Sequence, residues 1–161
     1  MFLRYFNPAP RLQPYIKSYL YYRMENSVPS GHIKFIPSGN PYIVFNLDDP
    51  FVIQNRKHRE GLRQEGIFAV GQQESYYLLQ PGHRYTNFCI IFQPTGLARL
   101  FHIPIHEITN SSVQLDLLAE YHLNRIIDLL AEGKVDLEHT VKVLDVFFCN
   151  RLRYHKNVYP Y

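Results

Sequence analysis

The sequence predicts an α+β domain in which an antiparallel β-barrel or sandwich is followed by a C-terminal helical hairpin. Three observations carry that expectation. From His32 onward short apolar runs alternate with turn residues, with no helical segment between them, which is the pattern of antiparallel sheet. The 13 Tyr and 11 Phe fall mainly before residue 102, as strands favour aromatic side chains. After Gln93-Pro94-Thr95-Gly96 the apolar spacing changes to the threes and fours of a helix. With 161 residues, 46% of them hydrophobic, the chain is long enough to bury a core as one domain. Residues 1–93 are expected to be mainly barrel with a short N-terminal helix, and residues 94–155 a helical segment.

Taken in order, Pro8-Ala9-Pro10-Arg11-Leu12 suits a first helical turn, and Leu12, Tyr15, Ile16 and Tyr19 recur at helical spacing, so a short helix is expected here. Residues 18–24 read as a strand and 26–31 as a loop. Strands are then expected over 32–36, 41–47, 51–54 and 67–70, parted by Pro37-Ser38-Gly39-Asn40, by Asp48-Asp49-Pro50 and by a charged loop over 55–66. Gln80-Pro81-Gly82-His83 has Pro and Gly at the central positions of a type II turn, which predicts a hairpin between strands 74–79 and 84–92. In Tyr42-Ile43-Val44-Phe45 and Phe88-Cys89-Ile90-Ile91-Phe92 apolar residues take both parities, so both faces of the sheet should be covered.

The cover should come from the C-terminal part. Leu97, Leu100 and Phe101 begin one helix, and Pro104 opens another short turn. Asn110-Ser111-Ser112 offers capping residues before a long amphipathic helix carrying Leu115, Leu118, Leu123, Ile126, Ile127 and Leu130. Gly133 should end that helix and Asp136 cap the next, in which Leu137, Val141, Leu144 and Phe148 form a stripe. That stripe either packs on its own sheet or forms a two-fold dimer interface. The additional apolar residues Val143, Val146 and Phe147 give the helix more apolar surface than one face needs, which favours the interface.

The formal net charge of +3 conceals a split: residues 1–106 hold 11 Lys/Arg against 6 Asp/Glu, and residues 107–145 hold 3 against 8. The basic residues are scattered or lie in Arg56-Lys57-His58-Arg59, the composition of a solvated loop rather than a nucleic-acid surface. Cys89 and Cys149 stand 60 positions apart in apolar settings, without the spacing of a zinc or redox site. No signal peptide follows Met1-Phe2-Leu3-Arg4, and no run reaches the ~18–20 apolar residues of a membrane span, so a cytoplasmic protein is expected.

Chemistry is sparse. His102 and His106 have the spacing of two ligands on one helix face, but Pro104 between them breaks such a helix, and no metal site is expected. The strands lack a His-x-His pair followed by a carboxylate. There is no GxSxG elbow, no Cys with a nearby acid–base partner and no Gly-rich phosphate loop. Carboxylates are rare in the strands, with Glu74 alone inside one, so the chain is not expected to be an enzyme or to need a cofactor. What remains is an aromatic interior with a few polar anchors, the make-up of a small-molecule pocket. Tyr42, Phe45, Gln72, Tyr77, Phe88 and Phe92 are the candidate lining, although the same residues could fill a solid core, and a one-residue slip reverses every inward assignment.

The order of these signals resembles the N-terminal effector-binding and dimerisation domain of AraC-family bacterial transcription regulators. The likeness rests on Pro8, Leu12, Tyr15-Ile16 and Tyr19, on Ile36-Pro37-Ser38-Gly39 before Ile43-Val44-Phe45-Asn46-Leu47, and on the block from Phe88 through Gln93-Pro94-Thr95-Gly96-Leu97 to Phe101, continuing in Ile103-Pro104 and Glu107-Ile108-Thr109-Asn110. The resemblance implies a cupin-like barrel that senses a small-molecule effector and a helical pair that makes a homodimer. It also implies a C-terminal helix-turn-helix region that alone contacts DNA and that the chain to Tyr161 would lack, with Arg151, Arg153 and Lys156 beginning the linker toward it. The competing readings are a stand-alone cupin-like enzyme, a non-catalytic ligand-binding protein, and a dimerisation module with a filled barrel.

Overall fold

The computed structural model describes residues 1–24, 31–115, 121–134 and 136–158. Ten strands build two antiparallel sheets among these residues. They are β1 (Phe2–Phe6), β2 (Ile16–Met24), β3 (Ile33–Phe35), β4 (Tyr42–Asn46), β5 (Phe51–Gln54), β6 (Leu62–Gln64), β7 (Ile67–Val70), β8 (Tyr77–Gln80), β9 (Tyr85–Phe92) and β10 (Ser112–Gln114). The larger sheet has the order β1-β2-β9-β4-β7-β10 and the smaller β3-β8-β5-β6. Four helices follow or interrupt the strands: α1 (Gly96–Phe101), α2 (Ile105–Ile108), α3 (Tyr121–Ala131) and α4 (Leu137–Val158). The fold is thus α+β, an antiparallel sandwich with helices behind it.

The double parity of apolar residues has its explanation in two separate cores. Ile43, Phe45, Phe88, Ile90 and Phe92 on one face of the larger sheet pack with Tyr19, Leu97, Leu100, Leu144 and Phe148. Val44, Phe68, Val70 and Tyr85 on the other face pack with Phe51, Ile53 and Leu79 of the smaller sheet. Successive residues of a strand point to opposite faces, so a sheet enclosed on both sides must be apolar at both parities. Phe148 stands edge-on to Phe92 and Phe101, with ring centroids 6.3 and 5.9 Å away, and so fixes α4 on the sheet and on α1.

At the N-terminus the expected helix is a 3-10 turn of three residues, Pro10–Leu12, and Ile16 and Tyr19 belong to β2. Their helix-like spacing has a different cause. The pairing of β2 with β9 shifts between Ile16 and Ser18, and this bulge puts Ile16, opposite Phe92, on the same side as Tyr19, opposite Ile90. The hairpin expected at Pro81-Gly82 is overturned as well: β8 pairs with β3 and β5, β9 pairs with β2 and β4, and the turn carries the chain from one sheet to the other. Residues 47–50, which take the chain from β4 to β5, lie against this corner. A Cβ on Gly82 would stand 2.4 Å from the Asp49 Cβ, and the Arg84 N–H donates to Asp49 Oδ2 at 2.9 Å. The turn chemistry fits either outcome; the packing against Asp49 decides it.

Strands β1, β6 and β10 were not expected. β6 lies inside the charged segment read as a loop, and β10 takes up Ser112, read as a cap. The helical expectations fare better. Pro104 separates α1 from α2, and His102 ends α1 in the left-handed region with φ 55°. Gly133, with φ 65°, closes α3. Asp136 caps α4 by accepting from the His139 N–H at 2.6 Å. Leu115 follows β10 rather than opening a helix, and Leu118 lies outside the described residues. The segment after Phe148 continues α4 through Val158.

Candidate functional site

Between the two sheets lies a cavity of about 350 Å³. The larger sheet contributes the inner-facing residues of four neighbouring strands: Leu20 and Tyr22 of β2, Tyr85, Asn87, Cys89 and Ile91 of β9, Tyr42 and Val44 of β4, and Phe68 and Val70 of β7. The register brings them together, since Tyr22 lies opposite Asn87, Leu20 and Val44 opposite Cys89, and Tyr42 opposite Ile91. The smaller sheet closes the space with Phe35, Phe51, Ile53, Tyr77 and Leu79. Leu3 and Tyr5 on edge strand β1 and the segment Ile36-Pro37-Ser38-Gly39 form its rim, where Ile36 is 82% exposed.

The walls are aromatic and locked by one another. Phe35 stacks on Tyr77 with centroids 5.3 Å apart, Phe51 stands edge-on to Tyr85 at 5.1 Å, and Tyr22 edge-on to Tyr85 at 5.7 Å. A single polar link crosses the interior among the described residues: the Tyr42 and Tyr77 hydroxyls lie 2.8 Å apart, joining β4 to β8. Burial raises the pKa of the whole group. It pushes Tyr77 up to about 12 and Cys89 up to about 12, and holds Tyr42 and Tyr85 well above the usual tyrosine range. These hydroxyls and the thiol are therefore neutral hydrogen-bonding groups at physiological pH. Asn87 is 2% exposed, and its Oδ1 has no hydrogen-bond partner.

The six residues singled out from the sequence divide by parity. Tyr42 and Tyr77 line the cavity. Phe45, Phe88 and Phe92 belong to the opposite core, against the helices, because β4 and β9 present their alternate residues inward. Gln72 does not line the cavity; its Nε2 donates to the Gly39 carbonyl at 3.1 Å and so holds the rim, while the next residue, Gln73, lines the space. Asn87 and Cys89 were missed. Their signal was a polar side chain at alternate positions of an otherwise apolar strand, on the parity opposite to the phenylalanines.

The α4 stripe is also placed. Val141, Leu144 and Phe148 are buried against the chain's own core, and Leu137 packs partly buried on the same cluster. The outward side of α4 presents Val146, 61% exposed, with Tyr154 further along. Among the described residues no three His, Cys, Asp or Glu side chains converge as a metal site would require, and no helix is long and apolar enough to cross a membrane.

An antiparallel sandwich that encloses a largely apolar cavity, with helices braced on its outer face, defines the class of this domain. The chain belongs to the family described as a domain of unknown function, DUF6597, which matches residues 4–114 and so takes in every strand but the start of β1. No curated protein matches. Among solved structures, one of ToxT in its apo form from Vibrio cholerae is similar over 88% of this chain and 57% of that one, with a TM-score of 0.49 and 8% sequence identity. The chain therefore spans a little over half the length of that structure.

Proposed function

We propose that this chain is the small-molecule-sensing domain of a bacterial transcription regulator of AraC type, with the effector held between the two sheets. The single observation that supports the sensing reading is the cavity of about 350 Å³, large enough for a metabolite-sized molecule and walled by preformed aromatic contacts. The regulator reading rests on the sequence resemblance. Strands β1 and β2 supply a route from ligand to helix: Leu3, Leu20 and Tyr22 line the cavity, while Arg4 pairs with Glu138 and Tyr19 bonds Asp145, both on α4. An occupant that shifts these strands shifts the helix seated on their other face.

A homodimer fits the same scheme, because paired DNA-reading domains raise each other's effective concentration on adjacent half-sites. Its interface on α4 would use the outward Val146 rather than the buried stripe. The ligand reading is tested by thermal denaturation of the purified chain against a panel of neutral and charged small molecules, beside a Val44→Phe variant that fills the cavity. A native-state ligand at 100-fold its Kd stabilises by about 2.7 kcal/mol. The expected result is at least one compound that raises the melting temperature of the native chain and not of the variant. Stabilisation that persists equally in Val44→Phe would overturn the site.

A further inference from the structure

The chemistry of the cavity wall restricts what it can hold. Among the described residues that line it there is no Lys, Arg, His, Asp or Glu. A carboxylate or phosphate entering this space would give up its water without meeting a counter-charge, and a bare buried ion is among the costliest states in a protein. The polar side-chain groups that are present are the hydroxyls of Tyr5, Tyr22, Tyr42, Tyr77 and Tyr85, the amide groups of Asn40, Gln73 and Asn87, the Ser38 hydroxyl and the Cys89 thiol.

Most of these are already engaged or lie at the rim. Tyr42 and Tyr77 bond each other. The Asn40 Nδ2 donates to the Phe92 carbonyl at 2.8 Å, and its Oδ1 accepts from Lys17 at 3.2 Å. Gln73 donates to the Gly71 carbonyl at 3.1 Å and accepts from Asn55 at 3.3 Å. Asn87 differs, since its buried Oδ1 is an acceptor with nothing to accept from. A buried polar atom left without a partner costs about 1–3 kcal/mol, so a donor brought to it is favoured by more than an ordinary surface hydrogen bond. Asn87 sits on central strand β9 opposite Tyr22 and two residues from Tyr85, whose hydroxyl interacts with the Asn87 amide, so this acceptor belongs to the interior of the sheet rather than to the rim.

We infer that the cavity takes an uncharged aromatic molecule with one hydroxyl, of the phenol class, whose O–H donates to Asn87 while its rings lie among Tyr22, Phe51, Phe68 and Tyr85. This assignment rests on the proposal that the cavity is a ligand site and adds the chemistry of the ligand. The apolar rim of Leu3, Tyr5 and Ile36 suits the same class, because a neutral aromatic crosses such lips without shedding a charge's hydration.

The test uses three probes of one shape: p-phenylphenol, p-methylbiphenyl and p-biphenylcarboxylate, titrated at neutral pH into the intact chain and into Asn87→Leu. The chain has no Trp, so biphenyl fluorescence is read over tyrosine alone. In the intact chain the carboxylate should bind at least ~100-fold more weakly than the phenol, reflecting uncompensated desolvation of the anion. The preference for hydroxyl over methyl should fall by about tenfold in Asn87→Leu, the loss of one buried hydrogen bond with ligand hydration cancelled between the two proteins. Carboxylate binding as tight as phenol binding overturns the ligand class and leaves the cavity reading intact. A hydroxyl preference unchanged in Asn87→Leu overturns the role of Asn87. Failure of all three probes to bind overturns the cavity reading itself. The comparison of phenol with carboxylate needs no variant and stands whether or not Asn87→Leu folds.

Discussion

The Tyr19 hydroxyl donates to Asp145 Oδ1 at 2.8 Å, and the other oxygen of the same carboxylate accepts from the Ala9 N–H at 3.1 Å. One side chain of α4 thereby ties down both β2 and the turn before it. Tyr19 is fully buried, and burial together with the neighbouring carboxylate raises its pKa far above the usual tyrosine range. Asp145→Ala leaves that hydroxyl without its acceptor and should destabilise by about 1–3 kcal/mol, whereas Tyr19→Phe should cost nearer ~1 kcal/mol. A double-mutant cycle in urea reads the coupling; an additive double mutant would show that the contact does not brace the helix.

Neighbouring positions on β9 should respond in opposite ways. Ile90 faces the packed core beneath the helices, so Ile90→Phe should overpack it and cost about 1–3 kcal/mol. Cys89, one residue earlier, faces open space of about 350 Å³. Cys89→Phe should therefore change stability by less than about 1 kcal/mol while weakening any cavity ligand. Equal destabilisation by the two changes, measured by denaturant midpoint at constant m, would contradict the assigned parity.

Alkali should unfold the chain by way of the same interior. Cys89 rises from 9.0 to about 12 and Tyr77 from 10.0 to about 12. An unfolded chain releases these protons as the pH passes 9 to 10, and the native state keeps them until about 12. The unfolded state thus binds fewer protons in this window, and stability falls as pH rises. Each such group contributes about 1.4 kcal/mol per pH unit, a term that is intact below pH ~9. Melting temperature followed against pH should drop steeply between these limits, with the ionisation absorbance of the buried Tyr42, Tyr77 and Tyr85 appearing only on unfolding. Tyrosine titration complete by pH ~10.5 in a still-folded chain would refute the burial.

Val146 offers the clearest test of assembly. Light scattering at high micromolar concentration should give twice the monomer mass of 19.1 kDa, and Val146→Asp should reduce it to the monomer without loss of helicity. Phe148→Ala, by contrast, should destabilise by about 3–5 kcal/mol because it empties a core position. A monomeric native chain would remove the dimer from the proposal.

Much of the sandwich was legible because its signals are local. The runs from Tyr42, Phe51, Ile67 and Tyr85 are bounded by turn residues, and Gly133 and Asp136 mark helix ends by backbone geometry and capping. What escaped was long-range. Whether Pro81-Gly82 closes a hairpin or turns a corner depends on Asp49, more than thirty positions away. The bulge at Lys17 imitated a helix, since an extra residue makes positions three apart share a face. The pocket list failed at Phe45, Phe88 and Phe92 for a related reason: where both faces are apolar, composition does not tell which side is filled and which is hollow. Asn87 and Cys89 carried that information as the less apolar parity.

The corner where Asp49 meets Gly82 and Arg84 bears on how the sandwich can deform. Two connections between the sheets, β4 to β5 and β8 to β9, run side by side there and are bonded to each other. At the far end of β9 the connecting segment Pro37 to Asn40 is itself part of the cavity rim. That segment joins β3 to β4, and beside it residues 71–76 join β7 to β8, with Gln72 bonded to the Gly39 carbonyl, so the two sheets are tied together at both ends. A guest longer than this space would meet the chain itself at either end, and its excess length would have to project sideways past Leu3, Tyr5 and Ile36 rather than part the sheets.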